Sequence, residues 1–166
     1  MGLLGASATV AGQNLGAGHP ERAVEGVAAA ARMAVIGALS IGVFFLLIPQ
    51  TLLGIFGVSD EAVLRIGAQL LRVMSVSGIF IALALTYTGG LQGTGDTKSP
   101  LYISIISQVL VPLGIAYSLR AAGQLTPLGI WIAILCGHAT RAGLSAVRFR
   151  QGKWRHIHVD IVRSTG

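Results

Sequence analysis

The sequence predicts an all-α polytopic membrane bundle with four full transmembrane helices and a partial helix at the N-terminus. Four stretches contain no Asp, Glu, Lys or Arg, at residues 33–59, 73–91, 101–119 and 121–140. Each is close to the roughly 20 residues that a helix needs to cross a hydrocarbon core of about 30 Å. The chain is 53% hydrophobic and only 11% charged, whereas soluble domains carry about 25% charged residues.

The first two predicted helices occupy residues 3–18 and 20–48. The opening segment is apolar and rich in small residues, lacks the basic flank of a signal peptide, and is interpreted as a short or incomplete helix. Pro20 suits the first turn of the second helix, and Glu21 complements the positive end of its macrodipole. Pro49 marks the far end of that helix.

Three more helices are predicted at residues 60–91, 100–119 and 127–149. Ser59 provides an N-cap for the first of them, and Pro100 opens the next. A glycine and a proline interrupt the chain before the last helix. Because the connections are short, successive helices should be antiparallel neighbours.

Basic residues are unevenly distributed between the two sides of this predicted bundle. One side carries residues 15–32, 92–100 and 148–166. The positive-inside rule places this side on the cytoplasmic face of a bacterial inner membrane. It holds eight basic residues and the opposite side three: Arg22, Arg32, Lys98, Arg148, Arg150, Lys153, Arg155 and Arg163 against Arg65, Arg72 and Arg120. We therefore interpret residues 150–166 as a basic cytoplasmic tail, with the lipid bilayer rather than nucleic acid as its partner.

The motifs of an enzyme, a nucleotide site or a metal site are not apparent. Residues 89–98 are glycine-rich but lack the P-loop pattern, so we interpret them as a turn whose glycines adopt positive φ and whose Asp96 bonds to backbone N–H groups. The single cysteine cannot form an intrachain disulfide, and the four histidines lack metal-ligand spacing. We expect no catalytic set, no cofactor and no metal.

Few ionisable residues lie at membrane depth. Arg72 and Arg141 can snorkel to an interface, and His138 is better explained by a structural hydrogen bond than by a proton path. The uncharged stretches contain no carboxylate, so an ion-coupled transporter would need its coupling acid from another segment. Aromatic residues that could form interfacial belts are Trp131, Trp154, Tyr102 and Tyr117.

Two packing features remain open. Gln108 must face a helix, a water-filled cavity or a ligand, because an unpaired buried amide costs several kcal/mol in hydrocarbon. Helix–helix bonding and a transport cavity explain it equally well. Ala139 and Gly143, four residues apart, suit a close helix crossing, although generic packing is the simpler interpretation.

Two local sequences resemble the multidrug and toxic compound extrusion (MATE) transporters. Residues 11–23, AGQNLGAGHPERA, resemble a helix end and loop of that family, and residues 90–100, GLQGTGDTKSP, resemble a later cytoplasmic loop. The resemblance extends over nearly the whole chain. It implies the end of the second six-helix lobe, from the last part of the eighth helix to the twelfth. The residues that carry the loop resemblance are Gln92, Gly93, Gly95, Asp96 and Pro100.

The resemblance implies a C-terminal fragment of a secondary active antiporter that expels organic cations or other drugs in exchange for H⁺ or Na⁺ by alternating access. Because a lone fragment has no opposite lobe, we expect it to be inactive by itself. Its expected partners are the missing N-terminal lobe or a self-associating copy. The candidate cavity-lining residues are Met74, Ser77, Phe80, Thr88 and Gln108.

Two alternatives remain. The chain could be a membrane scaffold that pairs with a separate first lobe, or a flippase for lipid-linked sugars. A cationic cavity containing both Arg72 and Arg141 would favour the flippase. The equivalent of the tenth family helix has no acid after its opening turn, so the ion site that one subgroup places there is not expected.

Overall fold

The computed structural model describes residues 2–156, and over this range the all-α prediction is confirmed. The elements are α1 (Gly2–Gly16), α2 (Pro20–Leu47), α3 (Pro49–Ile55), α4 (Glu61–Gly93), α5 (Lys98–Ile105), a π-helical turn (Ile106–Leu110), α6 (Val111–Ala121), α7 (Pro127–Arg150) and a 3-10 turn (Lys153–His156). Most of the predicted basic tail, including Arg163, lies outside the described residues.

Four helical segments are long and apolar enough to cross a membrane. They are Pro20–Leu47, Glu61–Gly93, Lys98–Ala121 and Pro127–Arg150. Large apolar side chains such as Phe44, Leu47 and Leu113 lie mainly on the outside, whereas the buried apolar positions are mostly alanines. This distribution suits lipid, because lipid tails solvate large apolar side chains and small residues let helices approach closely.

The helices alternate in direction, so the bundle has two distinct ends. We call the end formed by residues 17–19, 94–97 and 151–156 the Asp96 end. The end formed by residues 48–60 and 122–126 is the Asp60 end. Helix α4 is central, since it packs against α1, α2 and α7.

Capping side chains that accept backbone hydrogen bonds define two helix starts at the Asp60 end. The N-cap of α4 is Asp60 rather than the predicted Ser59, because Asp60 Oδ1 accepts from the backbone N–H of Val63 at 3.0 Å. Thr126 Oγ1 accepts from the backbone N–H of Gly129 at 3.1 Å, which begins α7. Both bonds satisfy N–H groups that have no partner within their own helix.

The glycine-rich segment is mostly helix rather than turn, which corrects the sequence interpretation. Helix α4 continues through Gly93, and within the segment only Gly95 has positive φ, at 87°. Gly89 and Gly93 instead lie against the α1 backbone at Leu4 and Ala8, where a Cβ atom would collide with carbonyl oxygens. The glycines are therefore required by close packing of two helices.

The third span contains a π-helical turn that the sequence analysis did not predict. Pro112 has no N–H, and its ring crowds the carbonyl four residues earlier. The N–H of Val111 reaches back five residues to the carbonyl of Ile106, which widens the helix. Gly137 of α7 packs here, and a Cβ atom on it would lie 2.5 Å from the Ser107 carbonyl oxygen.

The Ala139–Gly143 pair does not form the close crossing that its spacing suggested. A Cβ atom on Gly143 would meet no other atom within 4 Å in the described part of the chain. The close approach on α7 is at Gly137, whereas Gly143 is exposed.

Candidate functional site

An apolar groove of about 440 Å³ runs between α2 and α4. Its α4 side includes Met74, Gly78 and Ile81, and its α2 side includes Met33 and Ile41. These α4 positions follow a spacing of three or four residues, which places them on one face of the helix. The groove can accommodate an apolar group of a ligand or a lipid chain.

The five candidate cavity residues do not converge on this groove. Met74 lines it, whereas Thr88 lines a different cavity further along α4. Ser77 is buried and donates to the carbonyl oxygen of Val73 at 3.0 Å, so its hydroxyl serves its own helix. Phe80 is half-buried and is not among the residues that line either cavity.

Gln108 lies in the π-helical turn, half-buried. Its Nε2 atom is buried and has no hydrogen-bond partner among the described residues. The sequence analysis allowed a helix, a cavity or a ligand as its partner, and no helix of the described chain supplies one. An amide without a partner at this depth is costly, so Gln108 remains a candidate for contact with something outside residues 2–156.

The two membrane-depth arginines line separate cavities. Arg72 lines a cavity of about 800 Å³ at the Asp60 end, together with the acids Asp60 and Glu61. Arg141 lines a cavity at the Asp96 end with Lys98. The shared cationic cavity that would favour a flippase is therefore not formed by this pair.

Asp96 joins the loop after α4 to the far end of α7. Its carboxylate is only 4% exposed and accepts from the backbone N–H of Ser99 at 3.1 Å and from the Ser99 hydroxyl at 2.8 Å. Arg148 Nε donates to Asp96 Oδ2 at 2.9 Å, and a second guanidinium nitrogen approaches the same oxygen at 2.9 Å. The predicted bonding of Asp96 to backbone N–H groups is confirmed, but its arginine partner was not predicted.

The electrostatics of Asp96 favour the charged carboxylate. Burial alone raises the pKa of this carboxyl, because it removes water from the charged form. The hydrogen bonds from Ser99 and the hydrogen bond and positive charge of Arg148 together outweigh burial and hold the pKa below its usual value of 3.8. Asp96 and Arg148 therefore form an ion pair at neutral pH.

An aromatic cluster packs at the Asp96 end, beside this ion pair. Phe149 and Trp154 are stacked with ring centroids 5.1 Å apart, and Trp154 Nε1 donates to the Phe149 carbonyl oxygen at 2.7 Å. Trp154 is fully buried against Val27 and Leu91, so its interpretation as an interfacial belt residue is wrong. Tyr117 is well exposed, as a belt residue would be.

The loop residues of the family resemblance thus have different structural environments. Gly93 contacts α1, Gly95 makes the turn, Asp96 pairs with Arg148, and Gln92 and Pro100 line the cavity that contains Arg141. Sequence reasoning missed the contact of Arg148 with Asp96 and the burial of Trp154 against α2 and α4, because these contacts join segments distant in the chain. Among the described residues, no group of three His, Cys, Asp or Glu side chains could hold a metal ion.

Comparison with known proteins adds a family match and several relatives. The family model MatE matches residues 1–118. The chain is 28% identical over 153 residues to the "Probable multidrug resistance protein NorM" of Thermotoga maritima, covering 92% of this chain and 33% of that protein. It is 33% identical over 135 residues to the "Multidrug and toxin extrusion protein 1" of Oryctolagus cuniculus, covering 81% of this chain and 24% of that protein. The chain spans about a third or less of the length of these relatives.

Proposed function

Because this chain belongs to the MatE family, we propose that it forms part of one lobe of a multidrug efflux transporter that exchanges organic cations or other drugs for H⁺ or Na⁺. The family match over residues 1–118 carries the proposal, and the similarity to a multidrug resistance protein and a multidrug and toxin extrusion protein supports the substrate class. The four membrane-spanning helices agree with this role, since secondary transporters bind their substrates between helices within the bilayer.

The groove between α2 and α4 is our proposed contact surface for the apolar part of a substrate. Its lining is almost entirely apolar, and it has the volume of a small-molecule site. Beyond Glu21 and Glu25 near the start of α2 and Glu61 at the start of α4, the four spans contain no carboxylate. We therefore propose that the coupling acid lies on a helix outside the four spans of this chain.

The proposed orientation places the Asp96 end on the cytoplasmic side of a bacterial inner membrane. Lys98, Arg148 and Arg150 are at this end, and Arg65 and Arg120 are nearer the other. The excess of basic residues at the Asp96 end supports this orientation by the positive-inside rule.

A chimera tests the transport proposal. The matched third of the Thermotoga maritima relative would be replaced by this chain, and the chimera reconstituted in proteoliposomes with a fluorescent organic cation. We expect efflux driven by a proton or sodium gradient. The same relative lacking that third should give no efflux, and a folded, inserted chimera without gradient-driven efflux would contradict the proposal.

We further expect the 166-residue chain reconstituted alone to give no efflux. Alternating access requires two lobes that move against each other around a central site, and the four spans form part of one. In the complete transporter, the partner of these spans would be the other lobe. Gradient-driven efflux by the purified chain alone would show that this expectation is wrong.

A further inference from the structure

A cavity of about 450 Å³ with several polar side chains in its lining opens between α4, α5 and α7 near the Asp96 end, further along α4 than the apolar groove. Its lining includes Thr88 and Gln92 of α4, Lys98 and Ser104 of α5, and Arg141 of α7. Three separate helices therefore contribute polar side chains to one space.

The charge of this cavity is positive. Lys98 and Arg141 are both cationic, and the described residues that line the cavity include no carboxylate. The acid closest to Lys98 in the sequence, Asp96, is already paired with Arg148 and Ser99.

Two polar side chains that line the cavity have buried atoms without the hydrogen-bond partners that such atoms normally have. Arg141 Nε is buried without a hydrogen-bond acceptor among the described residues. A cation held among transmembrane helices is costly unless an anion or a set of acceptors compensates it. The structure supplies space beside this arginine but no counter-charge.

Thr88 is the second such group. It is 2% exposed, and its Oγ1 has no partner in the described chain. Other buried or half-buried threonines bond to their own helices: Thr86 donates to the carbonyl of Ala82 at 2.8 Å, and Thr140 to that of Cys136 at 2.8 Å. The hydroxyl of Thr88 therefore has no competing partner among the described residues.

The position of the cavity suggests the source of an anion. Thr88 precedes the end of α4 by about 8 Å along the helix axis, which is close to the depth of lipid headgroups. Basic pockets between helices near an interface bind phosphate-containing headgroups, and Arg, Lys and hydroxyl groups are suitable donors to phosphate oxygens. We propose that this cavity binds the phosphate group of an anionic lipid, held by Arg141, Lys98 and Thr88.

Lipid retention by the detergent-solubilised 166-residue chain tests the proposal. Native mass spectrometry would measure binding of phosphatidylglycerol and of zwitterionic phosphatidylcholine, and calorimetry would measure binding of inorganic phosphate. We expect preferential binding of phosphatidylglycerol, weakened about tenfold by Arg141→Gln or Lys98→Gln, since charge-assisted hydrogen bonds are lost. The isosteric change Thr88→Val should weaken it severalfold.

Arg150→Gln is the matched control, because Arg150 is an exposed arginine on the same helix and does not line the cavity. It should leave binding unchanged. If inorganic phosphate binds with the same response to the variants, the site takes free phosphate as well as the headgroup. Helix content by circular dichroism checks folding of each variant. If Arg141→Gln does not fold, phosphatidylglycerol binding by Lys98→Gln, at an exposed position, tests the proposal.

Three results would overturn the proposal. Equal binding of the two lipids would show that the site does not select negative charge. Equal weakening by Arg150→Gln and Arg141→Gln would show general surface attraction. Unchanged binding in Lys98→Gln and Thr88→Val would remove the cavity from the interaction. None of these results bears on efflux by the chimera.

Discussion

At the scale of single residues, Asp96 holds the C-terminal end of α7 through its ion pair with Arg148. Asp96→Asn keeps the shape of the side chain but removes the counter-charge of Arg148. We expect a loss of about 2 kcal/mol in the free energy of unfolding, since Arg148 is partly exposed and water offsets some of the cost. Denaturation in detergent, followed by circular dichroism, measures this loss.

Asp60→Asn is the matched control for that change. Asp60 is exposed and caps α4, and asparagine caps a helix about as well as aspartate. Its effect should be small. A loss as large as that of Asp96→Asn would mean that charge removal in general, rather than the ion pair, destabilises the protein.

The same ion pair predicts a dependence of stability on pH. The pKa of Asp96 is lower in the folded protein than its usual value of 3.8, so this group stabilises the fold above that value. Its contribution should decline as pH falls below 3.8 and through the folded-state pKa. Unfolding measured between about pH 2 and pH 6 should show a smaller decline for Asp96→Asn than for the parent chain. Parallel curves would contradict the assignment.

Residue-scale prediction from sequence succeeded where the chemistry is local. The bonding of Asp96 to backbone N–H groups follows from its position just before a helix, as the contact with Ser99 shows. Arg148 lies 52 residues away, and local spacing carries no information about such a pair. Trp154 was misassigned for the same reason, because its burial depends on α2 and α4 packing around it.

At the scale of helices, the contact of α1 with α4 depends on a glycine. Gly93→Ala would place a methyl group against the backbone of Ala8, so the helices must separate. We expect a loss of about 1–3 kcal/mol in the free energy of unfolding. Gly78→Ala on the same helix is the control, because a Cβ atom there meets no other atom within 4 Å in the described chain. Equal losses for the two variants would contradict the close contact.

Helix α7 offers a second matched pair. Gly137→Ala should destabilise the protein, because its methyl group would meet the Ser107 carbonyl and the ring of Pro112. Gly143→Ala should have little effect. A cysteine cross-link between α6 and α7, whose rate depends on their separation, would detect the shift directly. If Gly143→Ala destabilised the protein and Gly137→Ala did not, the close helix contact would lie at Ala139 and Gly143 instead.

Helix prediction was limited by what a one-dimensional pattern contains. Hydropathy and proline positions locate the spans, because each span needs its own apolar length. They do not distinguish a glycine in a turn from a glycine packed on a neighbouring helix, which explains the misinterpretation of Gly89 and Gly93. The π-helical turn lies just before Pro112, but the sequence did not show whether that proline would kink, break or widen the helix.

At the scale of the whole molecule, the fold class was predictable and the candidate site was not. The class depends on composition and length, which are properties of the sequence itself. A transport cavity depends on how the helices pack together, and the candidates Met74 and Thr88 line two separate cavities at different heights along α4. The unpartnered amide of Gln108 is consistent with a site completed by helices beyond the described chain.

The central claim is that the four spans cross a bilayer in alternating directions, with the Asp96 end and the Asp60 end on opposite sides. Single cysteines at Ala17 or Thr97 and at Ser59 or Gln124, in a Cys136→Ser background, test it in sealed vesicles with a maleimide that cannot cross lipid. We expect Ala17 and Thr97 to be labelled from one side, and Ser59 and Gln124 only from the other. Labelling of both pairs from the same side would contradict the threading on which the transporter assignment depends.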